Sequence, residues 1–244
     1  MATSGNSNFV VTRDDIITRA LRIVNAIGQL ETPDPGAVTE AAMALNMLVK
    51  ERQADGMQLW KMLTITGILT AGVASYNIGT GSTVNKEAPL KLLDAWLRNT
   101  AGGDAPITLF TKSQYDNYSS KATPGTPTQM FYQPPGATLS TGMVGTYFLL
   151  PVPTALDVTN STLYMTGIFP IFDFDASTDN PDFPSFYYNA LTWGLADQLS
   201  TEYGVPLSER GFIQNKAMMH LEMAKSMDIE EGSLFIQPTF DDGA

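Results

Sequence analysis

Apolar positions along the chain change period twice. Ile17, Leu21, Val24 and Ile27 fall three or four residues apart, and Ala41, Ala42, Leu45, Leu48 and Val49 continue the spacing, while Lys50, Glu51, Arg52 and Gln53 fill the opposite side. The pattern predicts two amphipathic helices joined as an antiparallel pair. Thr12, followed by Asp14 and Asp15, reads as the N-cap of the first, with acidic groups where the helix dipole favours them. Gly28 lies near its end, and Asp34-Pro35 supplies the N-cap and first residue of the second. Gly56, after Asp55, is expected to stop that helix in a left-handed conformation.

From Leu63 the period shortens to that of strands. Residues 63–182 are rich in Thr, Gly, Pro and aromatics, and strands are expected near 63–70, 73–78, 89–98, 106–111, 127–132, 144–150 and 161–168. Gly79-Thr80-Gly81-Ser82, Gly102-Gly103-Asp104 and Pro134-Pro135-Gly136 punctuate them as turns, and 113–118 reads as a short helical turn. After Asp182 the helical spacing returns as Tyr188, Leu191, Leu195 and Leu199. Pro206 opens a fourth helix whose expected buried face is Ile213, Ala217, Leu221, Ala224 and Met227. The expected fold is α+β, a four-helix bundle built from the N- and C-terminal helices, with a β-rich inserted domain, sandwich- or barrel-like, and an extended C-terminal tail. The expected divisions are an N-terminal helical pair over 1–62, the β-rich domain over 63–182, a C-terminal helical pair over 183–231 and the tail over 232–244.

A resemblance runs through the same stretches. Leu45-Asn46-Met47-Leu48, the polar Lys50 to Gln53, Asp55-Gly56 and Leu59-Trp60-Lys61 resemble a signature of the head-to-tail adaptor proteins of short-tailed phages, also called head-completion or packaged-DNA-stabilisation proteins. Further matches follow in order: Tyr76 at a strand end, Ser113-Gln114-Tyr115 through Lys121, Gly125-Thr126-Pro127-Thr128 before an aromatic strand, an acidic Pro-rich run, and Leu191 to Leu199. The order and spacing of these motifs carry the resemblance. It implies a structural virion protein at the neck between head and tail, assembled in the host cytoplasm. There, a ring of twelve copies would join the portal protein to a tail nozzle or tube protein, close the head and let DNA pass. No cofactor and no enzymatic activity is implied, and Leu45, Asn46, Asp55, Gly56, Leu59 and Trp60 would be structural residues of the motif.

Composition narrows the picture. Charged residues make up 16% of the chain, below the usual quarter or so, which leaves a surface of uncharged polar groups or one covered by partners. The net charge of -11 argues against tight DNA binding, because non-specific affinity comes from Lys and Arg displacing counterions at phosphates. DNA is therefore expected to pass the lumen without specific binding. Acidity concentrates at the end of the chain, where 183–244 holds 3 basic and 9 acidic residues. With no cysteine, disulfides and thiolate chemistry are excluded. No apolar run approaches the ~20 residues of a membrane span and no signal peptide is readable at the start, so a soluble protein without a membrane partner is expected.

Candidate chemistry is sparse. His220 lies among Met219, Leu221 and Met223 and reads as structural or surface, and Gly79-Thr80-Gly81 reads as a hairpin turn rather than a nucleotide loop. Asp173, Asp175, Ser177 and Asp179 alternate like the first ligands of a calcium loop, but Thr178 and Pro184 stand where that loop needs Gly and Glu, so a solvated acidic linker is expected. Some relatives of the adaptor family are assigned activity against peptidoglycan, and Asp173, Asp175 or Glu202 would be the carboxylates of a weak hydrolase. An alternative from another class is a glycan- or receptor-binding tail module, with Tyr115, Tyr118, Phe131 and Tyr132 as stacking platforms. Met218, Met219, Met223 and Met227 could form an adaptable surface, but helix core is the expectation, and Trp60, Trp96 and Trp193 read as core anchors. In the tail, Leu234, Phe235, Ile236 and Phe240 are expected to enter apolar pockets on the portal or a neighbouring copy.

Overall fold

The computed structural model describes residue 5 and residues 9–55, 59–136 and 143–228. Those residues form six helices, α1 (Arg13–Ile23), α2 (Pro35–Ala54), α3 (Lys112–Asn117), α4 (Ala155–Asn160), α5 (Tyr188–Glu202) and α6 (Leu207–Met227). They also form eight strands, β1 (Met62–Thr66), β2 (Ser75–Ile78), β3 (Lys91–Asn99), β4 (Asp104–Pro106), β5 (Thr108–Phe110), β6 (Gln129–Gln133), β7 (Gly145–Leu150) and β8 (Ser161–Ile168). The chain divides into two compact units. A helical unit combines both chain ends, up to Leu59 and from Asp173 onward, and a β unit is the continuous segment Trp60–Phe172.

The architecture is mixed α/β, and the expected four-helix bundle is not formed. In the helical unit α5 is the hub, packing against α1, α2 and α6, whereas α6 makes its main contacts with α5 and the single turn at Ser185–Tyr187. The burial pattern gives the reason. A bundle needs every helix to turn a continuous apolar stripe toward a shared centre. Helix α5 buries eight of its fifteen residues, including Leu191, Leu195 and Leu199, but α6 buries only Ile213 and Ala224 along its length. Ala217 and Leu221 are half-buried and Met227 is exposed, so the expected buried face of α6 is only partly realised. The extended tail of the expected fold lies outside the described residues.

The β unit contains two four-stranded sheets, ordered β1-β8-β3-β4 and β2-β7-β6-β5. Leu92, Ala95, Leu97, Leu163 and Met165 of the first sheet and Tyr76, Ile78, Met130, Tyr147 and Leu149 of the second share one apolar core, so the sheets face each other as a sandwich. The strand expected over 106–111 is two strands in different sheets. Beyond Pro106, which sits on the edge strand β4 where its missing N–H is tolerated, the buried Ile107 donates to Ala95 O, and β5 joins the opposite sheet. Because β5 pairs with β6 in parallel, a crossover must connect them, and α3 lies in it.

Tyr76 and Tyr147 hold the loop that follows β1. Their rings stack at 4.9 Å within the core, and each hydroxyl reaches backbone. Tyr147 Oη accepts from Ile68 N and donates to Ile68 O, while Tyr76 Oη accepts from Thr70 N and has Thr70 O and Val73 O in donating range. Burial pushes both phenols above their ordinary range.

Candidate functional site

The residues that carry the resemblance lead to α2. Leu45, Leu48 and Val49 are fully buried on its inner face. Asn46, one step around the helix, uses both ends of its amide on a single residue: Nδ2 donates to Phe174 O at 3.0 Å and Oδ1 accepts from Phe174 N at 2.9 Å. The side chain thereby acts as a short piece of strand for the segment that enters the helical unit at Asp173, and the Phe174 ring is buried. One turn further on, Lys50 Nζ meets Asp173 Oδ1 at 2.6 Å. Both side chains are about half exposed, so this ion pair contributes ~1 kcal/mol at most.

At the end of α2 a second connection forms. Asp55 is its C-cap residue, and its carboxylate receives Arg52 Nη1 at 3.3 Å and Lys225 Nζ at 3.2 Å. Leu59 N donates to Oδ1 of the buried Asp228 at 3.0 Å, and Tyr187 Oη donates to Oδ2 of the same carboxylate at 3.4 Å. Burial, and after it the charge of Asp228, holds the Tyr187 phenol above its ordinary range. Asp55 and Leu59 thus tie the end of α2 to the end of α6. Trp60 is half-buried at the first residue of the β unit. Gly56 and the tail residues Leu234, Phe235, Ile236 and Phe240 lie outside the described residues.

The 173–182 segment caps a helix. Asp179 Oδ2 accepts from Ala176 N at 2.6 Å and Asp175 N at 2.8 Å, and these backbone donors hold its carboxyl below the usual range. The carbonyls of Asp179 and Ser177 in turn accept from Arg13 N and Asp14 N. Thr12 accounts for the next donor, since its Oγ1 accepts from Asp15 N while Asp15 Oδ2 accepts from Thr12 N in a capping box. The first three N–H groups of α1, which have no partner inside the helix, are all paired. Among the described residues, no group of three or more His, Cys, Asp or Glu side chains is placed to hold a metal ion.

The remaining candidates fall into place around packing. Asp173 and Asp175 border a groove on α2, whereas Glu202 is exposed at the last turn of α5. Tyr115 of α3 stacks on Phe131 at 4.9 Å and lies tilted against Phe148 at 5.0 Å, which leaves Phe131 buried beneath α3. Tyr118 lies against Phe110, and Tyr132 Oη donates to Pro89 O at 2.6 Å. All four aromatics pack in the β unit, with Phe131 buried and Tyr115, Tyr118 and Tyr132 half-buried. Gly79 O accepts from Ser82 N, a turn in which Gly81 has φ +76°, the left-handed region that glycine favours. His220 stacks on Trp193 at 6.1 Å. Trp193 and Trp96 are half-buried, less deeply placed than core anchors would be.

No protein-family model matches the chain, and no curated protein matches it. Its own geometry therefore carries the functional argument. The methionines of α6, expected in the helix core, are on the surface: Met218, Met219, Met223 and Met227 are all exposed, as are Met43 and Met47 of α2. Sequence reasoning also missed Phe174 and Asp228, the partners that give Asn46 and Leu59 their roles. A polar Asn in the middle of an amphipathic helix was the available signal, because Asn favours caps and turns over helix interiors.

Proposed function

We propose that the chain is a structural assembly protein of head-to-tail adaptor type, a subunit of a ring that joins a portal to a tail and closes the head around packaged DNA. The observation that carries the reading is the Asn46–Phe174 clamp. Two residues that resemble the adaptor signature make long-range bonds within the chain: the Asn46 side chain fastens the Phe174 backbone, and the Leu59 backbone N–H donates to the Asp228 carboxylate. Such roles are architectural. They suit a signature whose purpose is to hold the two chain ends together on either side of a long β segment. The exposed methionines add support, since an assembly subunit needs apolar surface for its neighbours and the thioether adapts to varied contacts. An acidic chain of net charge -11 would neither grip nor kink a passing duplex.

Cryo-electron microscopy of particles containing the chain tests the proposal. The expected result is density for the helical and β units in a ring between portal and tail, repeated around the portal axis. Density for the chain elsewhere in the particle, or none at all, would overturn it.

A further inference from the structure

Two apolar helix faces are exposed in the helical unit, and their patterns match with the charge reversed. On α2, Glu40, Met43 and Met47 share a face by their spacing of three and four, with Met43 56% and Met47 60% exposed. A groove beside them is lined by Met43, Asn46, Met47, Lys50, Asp173 and Asp175. On α6, Lys216, Met219 and Met223 repeat that spacing, with Met219 40% and Met223 60% exposed, and Phe212 and Met227 extend the stripe at its two ends. The stripe lies around the helix from Ile213 and Ala224, the residues that α6 buries. Among the described residues Glu40 has no ion pair, and Lys216 meets only the ring of Phe212, at 5.8 Å.

We propose that α2 of one copy packs against α6 of a second copy. The helices run parallel, with Glu40 against Lys216, Met43 against Met219 and Met47 against Met223. The opposite direction would set Lys50 against Lys216 and leave Glu40 beside Met227, so charge selects the parallel arrangement. The two methionine pairs supply apolar area that can adjust its packing. Because two different faces meet, one copy keeps its α6 face free and the other its α2 face, so the contact propagates, which is the requirement for a ring. Closure of that ring on a portal rests on the adaptor reading. The pairing itself does not.

The absence of cysteine makes the register directly testable, because a disulfide forms only when two Cβ atoms come within about 4.5 Å. Full-length Met43→Cys/Met219→Cys is oxidised in solution and within particles, and separated on non-reducing gels. The expected product is a ladder beyond the dimer, while a mixture of the two single variants stops at dimers and neither single variant alone cross-links. No ladder, with both thiols reactive toward a maleimide dye and the fold intact by circular dichroism, overturns the proposal, as do dimers from one single variant alone. In the ladder-forming background, Glu40→Lys and Lys216→Glu should each lower the yield severalfold and together restore it. Failure of the double reversal to restore it overturns the register. Particles that hold the chain as a ring at the portal but never cross-link would sink the pairing and leave the adaptor reading intact. A ladder in solution from a chain absent from the portal would do the reverse.

Discussion

Asn46 and Phe174 stand 128 positions apart, yet each satisfies the other's donor and acceptor, side-chain amide against main-chain amide. The pair fastens α2 to the chain at the point where it re-enters the helical unit. Because Phe174 is buried, its backbone groups have little access to water as an alternative partner.

Replacing Asn46 with Leu removes both bonds and strands the Phe174 N–H and C=O. The expected loss is about 1–3 kcal/mol, read from urea unfolding midpoints. Lys50→Ala, which breaks the half-exposed pair with Asp173, is expected to cost ~1 kcal/mol or less. Equal effects of the two substitutions would show that the clamp does not hold this segment.

Asp228 serves two donors of unequal quality, Leu59 N at 3.0 Å and Tyr187 Oη at 3.4 Å. Asp228→Ala leaves the Leu59 amide without its acceptor and should lower stability by about 1–3 kcal/mol. Tyr187→Phe removes the longer bond to Asp228 while the Leu59 amide keeps its acceptor, and should cost less than ~1 kcal/mol. Thermal melts of the two variants that rank the other way round would contradict this assignment.

Acid should loosen the start of α1. Backbone N–H of Thr12, then its hydroxyl, holds the Asp15 carboxyl below the ordinary 3.8, and Ala176 N, then Asp175 N, does the same for Asp179. With folded values depressed, the unfolded chain takes up protons first. The stabilisation is therefore complete above 3.8 and is lost as pH falls through the lower folded values. Denaturant midpoints followed downward from about pH 6 are expected to drop steeply below about pH 4, and less steeply in Asp15→Asn/Asp179→Asn. An unchanged acid slope in that double variant would remove these two groups as the cause.

Gly167 lies on β8 between β1 and β3, opposite the irregularity at Leu92 and Asp94. A Cβ there would sit 2.7 Å from Lys91 O and 2.9 Å from Pro89 Cβ, and the first of these is backbone held in the sheet. Gly167→Ala is expected to destabilise by about 1–3 kcal/mol through overpacking. A melting temperature equal to that of the parent chain would mean that β3 can move aside.

Local order was legible in the residues alone. α1, α2, α5 and α6 lie where the three-and-four spacing predicts helices, and β2, β3, β6, β7 and β8 overlap expected strands, because both periods are properties of a single segment. The caps at Thr12 and Asp34 are local too, since each side chain reaches an amide within three residues. What surrounds each element is not. α6 carries one apolar stripe ending at Ala224 and another through Met219 and Met223, and nothing within twenty-one residues says which faces α5. The stretch 106–111 reads as one strand until the core places Ile107 at the point where the chain changes sheets. Asn46 looks misplaced in its helix until Phe174 arrives beside it. Periodicity tells a segment that it has a side to bury. Which distant segment covers that side depends on packing across the whole chain, and that information exists only in three dimensions.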